Sequence, residues 1–138
     1  MKRSIKGQKI VVATHNQGKL EEIAALLEPL DVKILSAKAL NLPEPDETET
    51  TFIGNARIKA HAAAQASKLP SLSDDSGIEI DALYGAPGVY TANWAETEQG
   101  RDFVKAMTKS HELLEQKNAP HPRKAQFCCT IVLAWPDG

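Results

Sequence analysis

The sequence predicts an α/β fold with helices packed on a sheet, and three observations near its start predict it. Residues Lys9–Thr14 hold a β-branched run, Ile10-Val11-Val12, suited to a buried strand. Leu20, Ile23, Ala24 and Leu27 then recur at i, i+3, i+4 and i+7, the apolar stripe of an amphipathic helix. Val32–Leu35 follows as a second short strand. The opening is therefore β-α-β.

The remaining elements follow in order. Asn16 is placed to cap the first helix, with Glu21 and Glu22 toward the positive end of its dipole and Pro29 to end it. Residues 41–51 form a Pro- and acid-rich loop carrying Glu44, Asp46, Glu47 and Glu49. A helix is expected over 51–67, with Phe52, Ala56, Ala60 and Ala63 on one stripe and Asn55 and Lys59 together on another face, which taken alone reads as an ordinary exposed one. Its many alanines imply close packing against the sheet. Pro70 stops it, and Leu72–Gly77 begins. Ile78–Asp81 alternates as a half-exposed strand does. Leu83–Gly88 is a Gly- and Pro-punctuated loop. Residues 100–116 read as a helix with Phe103, Met107 and Leu114 inward, and Ala119–Pro122 as a break. Gln126–Trp135 is a strong strand, and Pro136–Gly138 the turn of a hairpin. A strand that ends on a turn without a partner leads us to expect that the fold needs further chain.

Composition narrows the function classes. The 138 residues are expected to form one domain, 1–138. A net charge of −2 gives no strong pull toward nucleic acid or anionic membrane. There is no run of 18 apolar residues, and the basic segment Met1–Lys9 lacks the apolar core of a signal peptide. Cys128 and Cys129 are adjacent, so on a strand they point to opposite faces and form no disulfide framework. We read them as buried or half-buried thiols of a reducing, cytoplasmic compartment. His15, His61, His111 and His121 lack metal-ligand spacing and read as surface or helix residues.

Three segments bear chemistry. Thr14-His15-Asn16-Gln17-Gly18-Lys19 lies between the first strand and helix. Backbone N–H groups at a helix start attract anions, and Lys19 adds charge. The segment reads either as a phosphate loop or as a capped loop with a solvated lysine. It is not a Walker A loop. The acidic loop is either solvated or supplies a metal ligand. Asp74-Asp75-Ser76-Gly77, taken alone, reads as a turn, since Asp, Ser and Gly are turn residues. The alternative is a metal site, because adjacent carboxylates are costly to bury without a cation.

The order of these segments carries more than any one of them. Thr-x-Asn-x-x-Lys after the first strand, Glu-x-x-x-x-Phe-x-x-Asn-Ala, Asp-Asp-Ser-Gly and Gly-Ala-Pro-Gly-Val-Tyr together resemble the Ham1/ITPase family over about residues 9–135. The resemblance implies an elongated, curved mixed sheet flanked by helices in a two-lobed fold related to Maf proteins, and a homodimer. It implies Mg²⁺-dependent hydrolysis of inosine and xanthosine triphosphates to monophosphate and pyrophosphate. Thr14, Asn16 and Lys19 would hold the triphosphate, within the segment that also contains His15, Gln17 and Gly18. Asp75 would bind Mg²⁺ and act as general base, with Asp74 beside it and Glu47 a further ligand. Ser76 would contact the nucleotide, and Asn55 and Lys59 match positions near the phosphates. Gly85, Pro87 and Gly88 would shape the loop beside the site. Two departures stand out. Thr91-Ala92-Asn93 replaces the family's common Ser-Ala-Arg, and the base-holding Phe-Gly-Tyr-Asp and Ser-His-Arg segments do not occur. The alternatives are a Maf-like pyrophosphatase of other nucleotide preference and an inactive remnant that binds nucleotide or a partner.

Overall fold

The structure, a computed structural model, describes residues 3–138. It contains strands β1 (Lys9–Val12), β2 (Lys33–Ser36), β3 (Ser71–Ile80), β4 (Glu96–Thr97), β5 (Gly100–Arg101) and β6 (Ala125–Ala134). The helices are α1 (Gln17–Leu27), α2 (Phe52–Ser67), the single turn α3 (Thr91–Trp94) and α4 (Phe103–Gln116). The main sheet has the order β2-β1-β3-β6, and β1 runs parallel to both β2 and β3. The mixed α/β class expected from the sequence is thus the observed one. The chain divides into two compact units, with boundaries inside β3 between Asp74 and Asp75 and inside β6 between Thr130 and Ile131.

The first unit holds β1, α1, β2, most of α2 and the start of β3. Ile10, Val11 and Val12 are wholly buried, as expected of a parallel strand with neighbours on both edges. The stripe Leu20, Ile23, Ala24 and Leu27 is the half-buried face of α1. Pro29 sits in a 3-10 turn, Glu28–Leu30, that follows α1 and closes on Asp31 at φ 54°. Glu21 and Glu22 lie beyond the first turn, so they do not serve the dipole as expected. The alanines of α2 act as predicted: Ala60 and Ala64 pack on Ala134 of β6, with Val132 beside them. Small side chains there let helix and strand backbones approach closely. Trp135–Gly138 does form a turn, closed by the Gly138 N–H donating to the Trp135 carbonyl at 3.1 Å.

The second unit has its own core, where Ile80, Leu114 and Ala119 meet under Ile78, Ala82 and Leu83. Asp102 caps α4, accepting from the Val104 and Lys105 N–H groups at 3.0 and 3.3 Å. Two expectations are corrected here. Phe103 and Met107 are exposed, and the inward residues of α4 are Ala106 and Leu114. Helix α3 packs against α4. Cys128 is half-buried but Cys129 is exposed, because alternate residues of β6 face opposite sides and this side is open.

A third correction concerns Leu72–Gly77. It is not a turn but the body of β3, and Leu72, Ser73, Asp74, Asp75 and Gly77 are all buried. A polar strand tolerates burial when its polar groups find partners. The Ser73 hydroxyl donates to the Ala56 carbonyl of α2, and Asp74 is paired with Lys19.

Candidate active site

The predicted phosphate loop is built on its own side chains. The Asn16 N–H donates to the Thr14 hydroxyl at 3.1 Å, and the Asn16 side-chain oxygen accepts from the Lys19 N–H at 3.2 Å. Asn16 is therefore the helix cap expected, and Thr14 orders the residue that caps. A Cβ on Gly18 would stand 3.3 Å from that capping oxygen, a tight contact that glycine avoids. His15 and Gln17 are exposed. The loop leaves the carboxyl end of β1, where ligands bind in open α/β sheets. Lys19 then reaches across to β3, its Nζ 2.7 Å from Asp74 Oδ2. The Asp74 side chain is 8% exposed, so a buried carboxylate is balanced by a lysine at the start of a helix.

The same unit holds the acidic loop against α2. Asn55, expected on an open face, is buried at 2% exposure. Its Oδ1 accepts from the Glu49 N–H at 2.9 Å. One turn along, Lys59 Nζ lies 2.8 Å from Glu47 Oε1. The sequence placed Asn55 and Lys59 on one face, and the structure shows what that face carries. Glu44 and Asp46 are exposed.

In the second unit β3 continues through Asp75, 7% exposed, then half-buried Ser76 and buried Gly77. Thr91 braces this stretch: its hydroxyl accepts from the Ile78 N–H at 3.0 Å and donates to the Gly88 carbonyl at 2.6 Å. Gly77 fits between Phe52, Thr91 and the Gly88 carbonyl, where no Cβ has room. Gly85 and Gly88 take positive φ, 87° and 53°, so the loop turns where L side chains are disfavoured. Reading the sequence for site residues missed Thr91, although a signal existed. It keeps the hydroxyl of the serine that commonly stands there. Ser73 was missed too, and a serine in a strand gives no comparable signal.

Further along β3, Glu79 accepts from the Cys128 thiol at 3.1 Å and from Gln126 at 2.8 Å. These bonds hold the Glu79 carboxyl below its usual range, and the bond to Glu79 holds the Cys128 thiol above its own.

Among the described residues no three His, Cys, Asp or Glu side chains gather into a metal cage. Magnesium does not require one, since it takes one or two carboxylates and completes its shell with water and substrate phosphates. The groups in these segments considered for a metal, Glu47, Asp74 and Asp75, are carboxylates, which suit a hard cation rather than zinc. The residues present therefore fit magnesium.

A model of the Ham1 family matches residues 10–138. A dITP/XTP pyrophosphatase of Ruegeria pomeroyi is 68% identical over 138 residues, covering all of this chain and 68% of that protein. One from Brucella melitensis biotype 1 is 58% identical over 139 residues, covering 99% of this chain and 63% of that protein. The solved structure of a HAM1 protein from Coxiella burnetii superposes with a TM-score of 0.83 at 38% identity, over 91% of this chain and 62% of that one. The chain thus spans about two thirds of the length of the curated relatives it matches.

Proposed function

The chain belongs to the Ham1 family, and on that premise we propose that it hydrolyses deaminated purine nucleoside triphosphates (dITP, ITP and XTP) to the monophosphate and pyrophosphate. The observation that carries this reading is the Lys19–Asp74 pair, which ties the Thr14–Lys19 loop to the strand bearing Asp74-Asp75. A helix start with a lysine suits phosphate, and a strand rich in carboxylates suits a cation. The names of the relatives supply the substrate class.

Each residue then has a task. Thr14, Asn16 and the backbone of the loop through Gly18 orient the triphosphate, with His15 and Gln17 on its open side. Lys19 and Lys59 offset phosphate charge, and Ser76 contacts the nucleotide. Asp75 takes the proton of the attacking water as its oxygen bonds to the α-phosphorus, and the bond to the bridging oxygen breaks to release pyrophosphate. Asp75, Asp74 and Glu47 are the carboxylates assigned to Mg²⁺. When bound, the ion neutralises phosphate charge and makes water more acidic. Most of the acceleration in such chemistry comes from positioning and charge.

We assign the protein to the cytoplasm as a homodimer. Two free cysteines agree with a reducing compartment. Exposed Phe103, Val104 and Met107 on α4 agree with association. No described helix is long and apolar enough to cross a membrane.

The test is pyrophosphate release with Mg²⁺ from dITP, ITP and XTP against ATP and GTP. Preference for the deaminated purines is expected. Equal turnover of all five would favour a Maf-like preference. Nucleotide binding with no turnover of any would favour a binding module.

A further inference from the structure

We propose that Asn55 is a positioning residue. It anchors the acidic loop to α2 through the Glu49 backbone, while the Lys59–Glu47 pair is a resting contact that ligand exchange opens. The proposal rests on the reading of Glu47 as a magnesium ligand.

The two contacts lie one helical turn apart and differ in kind. The Asn55 bond is neutral, and its acceptor is buried at 2% exposure. Neither an arriving phosphate nor a cation competes strongly for a backbone N–H already engaged with a buried amide oxygen. The Lys59–Glu47 bond is ionic and partly wet, with the side chains 17% and 40% exposed. A phosphate competes for its lysine and a divalent cation for its carboxylate. Asn55 thus restrains the backbone at Glu49, two residues from Glu47, in every state, and Lys59 neutralises Glu47 only until ligands arrive. Without the anchor, the loop residues around Glu47 have no regular structure to hold them. Ordering them at each binding event would cost entropy.

The two contacts therefore predict opposite effects on one measurement, the binding of Mn²⁺ without nucleotide, read by electron paramagnetic resonance. Asn55→Ala loosens the loop and raises the Mn²⁺ Kd by about 5-fold, the worth of one neutral hydrogen bond. Lys59→Met removes the competitor of Glu47 and lowers the Kd by about 3-fold. Should the buried substitution unfold the protein, Glu49→Pro removes the same bond from the exposed side by deleting the N–H. Glu49→Gln keeps the N–H and controls for charge. Glu49→Pro is expected to match Asn55→Ala, and Glu49→Gln to leave the Kd within 2-fold of the parent. A shift of the same sign in Asn55→Ala and Lys59→Met would overturn the proposal. So would a Glu49 amide that exchanges with solvent at the unprotected rate in the parent protein. Neither readout uses turnover. Failure to release pyrophosphate would strike the proposed function and leave the clamp testable, and failure of the clamp would leave pyrophosphate release standing.

Discussion

Replacing Gly77 by alanine tests how tightly the strand carrying Asp75 is held. A Cβ at this position would lie 2.6 Å from Thr91 Oγ1 and 2.9 Å from Phe52 Cε1, and would overlap the Gly88 carbonyl oxygen. Ordinary van der Waals contact begins at 3.4 Å. The phenyl ring can yield, but the Gly88 oxygen is backbone. Thr91 cannot rotate away without giving up its bonds to the Ile78 N–H and the Gly88 carbonyl. Overpacking of this kind costs about 1–3 kcal/mol, and each lost hydrogen bond about 1 kcal/mol. We expect a total near 3 kcal/mol. With a urea slope of about 1.5–2 kcal/mol/M, the midpoint falls by about 1.5–2 M. Tryptophan fluorescence during urea unfolding reads it. Thr91→Ala alone is expected to cost about 1–2 kcal/mol, and added to Gly77→Ala it should not rescue, because the Gly88 oxygen remains. A Gly77→Ala protein within about 0.5 kcal/mol of the parent, or one restored by Thr91→Ala, would refute this account of the packing.

Three further outcomes are expected. Lys19→Met leaves a buried Asp74 without its lysine; breaking a buried pair costs about 3–5 kcal/mol, and the partial exposure of Lys19 reduces this to about 2 kcal/mol. The double variant with Asp74→Asn should be more stable than Lys19→Met alone in the same urea titration. Asp75→Asn is expected to slow pyrophosphate release by about 100-fold or more with a far smaller change in nucleotide Kd; release within a few-fold of the parent would remove Asp75 as the base. For Cys128, the bond to Glu79 raises the thiol pKa, so the stability it contributes is present below the ordinary thiol range and fades as pH rises through the raised value. In a Cys129→Ser background, alkylation of Cys128 should set in at higher pH than in the same background carrying Glu79→Gln, read by mass spectrometry; coincident profiles would rule out the contact.

What the sequence determined by itself was local. Short apolar runs and period-3.6 patterns placed β1, α1, β2, α2, α4 and β6 within a few residues, because apolar spacing and proline breaks act over one element. The Asn16 cap and the close packing of the α2 alanines were legible for the same reason, since each depends on neighbours in the chain or on side-chain size. Long-range contacts decided the rest. Asp-Asp-Ser-Gly has the composition of a turn, yet together with the preceding Ser73 it forms the interior of β3, where the Ala56 carbonyl and the Lys19 ammonium, 17 and 55 residues away, satisfy Ser73 and Asp74. Asn55 and Lys59 look like an open helical face until the acidic loop folds onto them. Phe103 and Met107 match the inward spacing, but a stripe does not state which of its edges faces the core, and Ala106 took that place. Burial of a polar group depends on a partner whose position only the tertiary fold provides. The residues of the candidate site could therefore be named from the chain alone, while the contacts that hold them could not.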